Sequence, residues 1–214
     1  MIGSLISACR MNKIKTSHLL TAAAAAAVVL VLRYVVFPAT FLPGEFSEAR
    51  LKGSRVAERI VELSRTNLSL LSEVARYDRE SNYPEALISI SNAIIQNREN
   101  QAEAIRLSEQ LTAMAEQAPR IRPNRAREIA TEAVAAEVAL VSRLIYYNNY
   151  LSQLFETLKV KFEKPWVTYL DGQVNDLINK INDEAHAINE HNKKFVALML
   201  ELDSIFGKKE ESAN

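Results

Sequence analysis

From Ser47 to Phe206 the apolar residues recur at alternating intervals of three and four, and the pattern breaks only at residues 78–83, 119–124 and 163–171. That spacing gathers the apolar side chains into one stripe along a helix, whereas a half-buried strand would alternate every second residue. The first stripe runs Val56, Ile60, Leu63, Asn67, Leu70, Val74, Tyr77. The second runs Leu87, Ile90, Ile94, Asn97, Ile105, Leu111, Met114, with a weaker middle at Gln101 and Ala102. The third takes in Ile129, Ala133, Ala136, Leu140, Leu144, Tyr147, Leu151, Leu154 and Leu158, and the fourth Val174, Leu177, Ile181, Ala185, Ile188, Asn192, Phe195, Met199, Leu202 and Phe206.

The expected fold class is all-α: one N-terminal transmembrane helix, then an elongated, antiparallel, coiled-coil-like four-helix bundle. Four segments of matched length joined by short breaks pack most simply up-down-up-down. The expected organisation is a tail at 1–16, a span at 17–37, a linker at 38–46, a bundle over 47–206 and a disordered tail at 207–214. The expected helices cover about 47–77, 84–118, 125–162 and 172–206. In "SNYPEAL", Asn82 and Glu85 form an Asn-x-x-Glu capping box with Pro84 in the first turn. Asp171 is the expected cap of the fourth helix and Gly207 its expected end.

The span is read from "LLTAAAAAAVVLVLRYVVFPATFLPGEF". Ser17 to Phe37 carries one formal charge, Arg33, and about 20 apolar residues cross a bilayer as a helix. Arg33 lies one turn from the end, where its side chain reaches the headgroups, and Tyr34 and Phe37 suit the same interface. Pro38 and Pro43 bar helical continuation. No small-x-small cleavage site follows, which disfavours a removed signal, and no polar face runs through Ala22 to Leu32, which disfavours a core helix. Arg10, Lys13 and Lys15 precede the span, so the N-terminus is expected in the cytoplasm and the bundle outside it, in the periplasm of a bacterium.

Charge excludes some partners. Lys plus Arg equals Asp plus Glu, 26 each, so no global field favours nucleic acid. The single cysteine, Cys9, leaves no disulfide within the chain and no cysteine metal cluster.

Two local features are candidate contact sites. "RIRPNRAR" places Arg120, Arg122, Arg125 and Arg127 beside a helix start at the membrane-proximal end, fit for anionic lipid headgroups or a phosphorylated partner. The plain alternative is a solvated loop. "FEKPWVTYLDG" holds the only tryptophan, and Trp166, Tyr169 and Leu170 with Tyr83 could dock a partner at the distal tip or simply plug it. Asn67, Asn97 and Asn192 fall on or beside the stripes and could face one another as a buried polar layer that fixes register.

Catalytic and metal residues are expected to be none, and cofactors none. His186 and His191 are five apart and do not share a helix face, and Asp183 with His186 lacks the second motif of a di-iron bundle. No P-loop, dinucleotide turn or nucleophile elbow occurs. The layout, with "LLSEVARYDRE" and "LIYYNNYLSQLF", resembles the LemA family, although the first helix lacks that family's Pro-Asn-Leu turn.

The functional expectation is a single-pass membrane scaffold or envelope structural protein that is not an enzyme. Its expected partners are membrane lipid and other proteins or further copies of itself. The rival reading is a sensory ectodomain binding a small ligand between its helices, and a membrane-associated enzyme comes third.

Overall fold

The computed structural model describes residues 43–164, 166 and 170–211. These form four long helices: α1 over Gly44–Arg79, α2 over Tyr83–Gln117, α3 over Asn124–Glu163 and α4 over Leu170–Glu211. A 3-10 turn, Ala118–Arg120, follows α2, and the described residues contain no strand. The predicted span at 17–37, with Arg33, Tyr34 and Phe37, lies outside the described residues. Among the described residues no helix is long and apolar enough to cross a membrane.

The helices form one antiparallel bundle, as cross-helix pairs at its two ends establish. At one end Arg120 pairs with Glu45, Arg125 with Glu201 and Arg50 with Asp203, which brings together the start of α1, the turn after α2, the start of α3 and the end of α4. At the other end Tyr83 stacks on Phe162 at 5.7 Å and Lys161 meets Asp171 at 2.9 Å. The backbones of α1 and α4 run further apart than those of consecutive helices. The core is continuous along the bundle, from Phe46, Leu111 and Leu202 through Ile90, Leu151 and Phe155 to Val74, Phe162 and Val174.

Several expected boundaries shift for local reasons. Asn82 does precede α2 and Pro84 lies in its first turn, but the Asn82 side chain makes no capping hydrogen bond. Its backbone instead closes the turn, accepting from Ala86 N–H and donating to Tyr77 C=O. Asp171 is no cap, because α4 begins at Leu170, and its carboxylate pairs with Lys161 of α3 instead. Gly207 does not end α4, which runs on to Glu211, so the predicted tail is helical over 207–211. Ser81 makes the turn between α1 and α2 at φ 56°, a left-handed conformation available to a short polar residue.

Gly53 lies inside α1 against α2, where a Cβ would stand 3.6 Å from Gln110 Cβ and 3.6 Å from Leu107 Cδ1. Those are ordinary contact distances, and glycine in a helix interior costs about 1 kcal/mol relative to alanine. Gly53→Ala is therefore expected to stabilise the fold by roughly that amount, read as a higher denaturant midpoint with an unchanged m-value.

Candidate functional site: a buried asparagine layer and two exposed helix faces

Periodicity on α2 fixes what is enclosed there. Continuing the three-four alternation from Asn97 selects Asn100, Ala104, Leu107, Leu111 and Met114, all of them buried. Ile105, expected on the core stripe, sits one residue further round that face and is 58% exposed. Asn100 and Glu103 are buried in its stead. A weak middle in the stripe marked the place, but not which neighbours would turn inward.

The consequence is a polar layer halfway along the bundle. Asn67 of α1, Asn97 and Asn100 of α2 and Asn148 of α3 are all fully or almost fully buried. Asn97 Nδ2 donates to the Asn148 carbonyl and to Ser152 Oγ, both at 2.8 Å. Asn100 Nδ2 donates to Ser64 Oγ and to Asn148 Oδ1, both at 3.2 Å. Asn67 lies one turn beyond Ser64 on the same face of α1. Because α1 and α2 are antiparallel, it comes level with Asn97, one turn before Asn100.

Hydrogen bonding in this layer is incomplete. Both polar atoms of Asn67, the Oδ1 atoms of Asn97 and Asn100 and the Nδ2 of Asn148 have no partner in the protein. Each such buried atom costs about 1–3 kcal/mol if left dry. Together they would rival the whole stability of an ordinary domain.

Asn192, the third asparagine singled out by periodicity, is also buried, on α4. Glu137 of α3 is 0% exposed, and neither carboxylate oxygen has a hydrogen-bond partner. Burial alone pushes its carboxyl up to about 8 from an ordinary 4.5, so it is predominantly protonated at neutral pH.

The predicted contact sites divide. Of the four arginines, Arg120 and Arg125 are engaged by Glu45 and Glu201, which reduces the local positive field, while Arg122 is exposed and Arg127 half-buried. At the tip, Trp166 is 76% exposed, whereas Tyr83 stacks on Phe162 and Leu170 is buried as the first residue of α4. Tyr83 and Leu170 thus plug the bundle end, and Leu170 is not a surface contact. Tyr169 lies outside the described residues. Asp183 and His186 are exposed, and among the described residues no group of three or more His, Cys, Asp or Glu could hold a metal ion.

Two outer faces escaped the sequence reading. On α2, Ile88 and Ile95 are exposed at a seven-residue spacing, with Ile105 beyond them. On α3, Val138, Ile145, Tyr146 and Val160 are exposed, the first two again seven apart. Asn100 lies opposite Asn148 and the helices are antiparallel, so Ile105 comes level with the stretch of α3 between Val138 and Ile145. The signal was present as isoleucines off the core stripe.

No protein-family model matches the chain, and no curated protein or solved structure matches it either.

Proposed function

We propose that the protein is a membrane-anchored scaffold whose helical bundle makes protein–protein contacts through the outer faces of α2 and α3. The anchor is the 17–37 segment, supported by its length and its single formal charge. The observation that carries the contact surface is the run of exposed branched side chains, Ile88, Ile95 and Ile105 with Val138 and Ile145, on helices whose inner faces already fill a core. Exposed apolar residues repeated at heptad spacing offer a further helix a seam to pack into. The partner is accordingly helical, either another envelope protein or a second copy of this chain.

A sensory role would need a route for ligand to the polar groups between the helices. The enclosure of Asn67, Asn100 and Asn148 weighs against that rival.

The test is crosslinking of the full-length protein in detergent across a concentration series, with affinity capture from solubilised membranes. Ile95→Glu, Ile105→Glu and Ile145→Glu combined are expected to abolish the crosslinked species or the captured set while leaving the melting temperature nearly unchanged, since surface substitutions cost about 0.5 kcal/mol or less. A wild type that is strictly monomeric and captures nothing defeats the proposal. So does a triple variant that behaves as the wild type.

A further inference from the structure

We infer that the asparagine layer is a built site for water, holding at least two molecules inside the bundle that bridge Asn67 of α1 to Asn97 and Asn100 of α2 and Asn148 of α3. The inventory of unmatched groups determines the ligand. Three amide oxygens, on Asn67, Asn97 and Asn100, lack a donor, and two amide nitrogens, on Asn67 and Asn148, lack an acceptor. A cation would serve the oxygens and be repelled by the NH2 groups, and an anion would do the reverse. An apolar ligand would satisfy none of them. Water donates two hydrogen bonds and accepts two, so two molecules can serve all three oxygens and still accept from both nitrogens.

Turning over the amides of α2 and α3 does not remove the shortfall. Asn97 must present its nitrogen to the helical carbonyl of Asn148, which can only accept. Asn100 and Asn148 share one bond, and turning both amides over merely exchanges donor for acceptor, leaving as many atoms unmatched. Asn67 is unmatched at both atoms. These groups lie on three neighbouring helices within about one turn of one another, and all five atoms are buried without a hydrogen-bond partner. Several unmatched donors and acceptors converging from neighbouring helices are the partners an internal water requires.

Hydration also gives the layer its role in the fold. A one-turn slip of α1 against α2 would leave only one polar level matched, Asn67 with Asn100 or Ser64 with Asn97, so the bridged arrangement favours a single register of these helices.

The test rests on a sign. If water fills the layer, Asn67→Leu displaces it and strands the Asn97 and Asn100 oxygens, and Tm of the full-length protein falls by about 2–4 °C or more. Asn67→Ser, which keeps a polar group and leaves room for water, loses less. If the layer is dry, Asn67→Leu removes a wholly unpartnered amide and Tm rises, which overturns the inference. Should the leucine variant not fold, a crystal structure of the wild type at a resolution that shows ordered water decides. Waters within hydrogen-bond distance of Asn67 and of at least one facing asparagine uphold it, and amides paired directly with one another and no water between them refute it.

Discussion

Glu137→Gln is expected to remove most of the pH dependence of unfolding between pH 4.5 and about 8, the window set by the ordinary and the raised values of this carboxyl. The folded protein keeps the Glu137 proton up to about pH 8, whereas the unfolded chain releases it near 4.5. Between those limits the folded state binds more protons, so stability declines as pH rises, by up to about 1.4 kcal/mol per unit. Below the window both states are protonated and the full contribution is present; above it both are ionised, and the folded state carries a buried charge with no partner. Glutamine cannot ionise, so the difference in unfolding free energy between wild type and Glu137→Gln should grow from about zero near pH 4 to several kcal/mol in favour of glutamine near pH 9. Glu137→Leu should gain as well at neutral pH, because two oxygens without hydrogen bonds leave the core. Denaturant titrations across pH measure this directly, and a flat difference between wild type and Glu137→Gln would mean that water reaches the carboxylate.

Much of the bundle was legible because its signal is additive along a helix. Ile60, Leu63 and Val74 of α1, and Leu177, Ile181, Phe195 and Leu202 of α4, repeat the same inference every turn, and all of them are buried. Asn67, Asn97 and Asn192 were legible for the same reason, as polar residues in phase with the stripe, and all three are enclosed. The rest required a neighbour. Glu103, Glu137 and Asn148 stand one position to the side of the central stripe, where phase alone leaves a residue at the edge, and polarity argues for assigning it outward. Only the adjoining helices enclose them, as where Asn97 and Asn100 of α2 close over Asn148. Ile105 was misplaced by the same ambiguity in the opposite direction. Ends of elements were blurred for a different reason: Asp171 has the composition of a cap, but a lysine on α3 competes for its carboxylate more effectively than its own backbone.

The candidate contact surfaces follow a similar logic. Four arginines in eight positions read as a positive patch, yet Glu45 and Glu201 are far away in sequence and adjacent in the fold. Long-range pairing of this kind cannot be seen from local charge density. The aromatic tip split likewise, because Tyr83 found Phe162 across the bundle while Trp166 stayed exposed. The faces of α2 and α3 became visible only by subtraction, once the core had claimed its side chains and Ile88, Ile95 and Ile145 remained outside it.

Asp203→Ala is expected to be among the most destabilising single substitutions in the protein, at about 3 kcal/mol or more. Asp203 of α4 receives both arms of the Arg50 guanidinium from α1, Nη1 to Oδ1 at 3.0 Å and Nη2 to Oδ2 at 3.2 Å. The pair is enclosed, with the arginine 5% and the aspartate 15% exposed. Truncating the aspartate removes both of these bonds from a guanidinium that can neither deprotonate nor reach solvent freely. The partial exposure of Asp203 keeps the loss toward the lower end of the range for broken buried pairs. Replacing both partners at once, Arg50→Met with Asp203→Leu, is expected to cost much less than the sum of the single changes, because neither charge is then left buried without this two-armed contact. A double-mutant cycle measures that difference, and a coupling near zero would show that each side chain is satisfied without the other. The location gives the pair a second readout. The α1 and α4 backbones lie further apart than consecutive helices, so this clasp is a principal tie between the first and last helices. Amide exchange in Asp203→Ala should therefore rise first in the last turns of α4 around Leu202, while the α2–α3 contact at Asn97 and Asn148 keeps its protection.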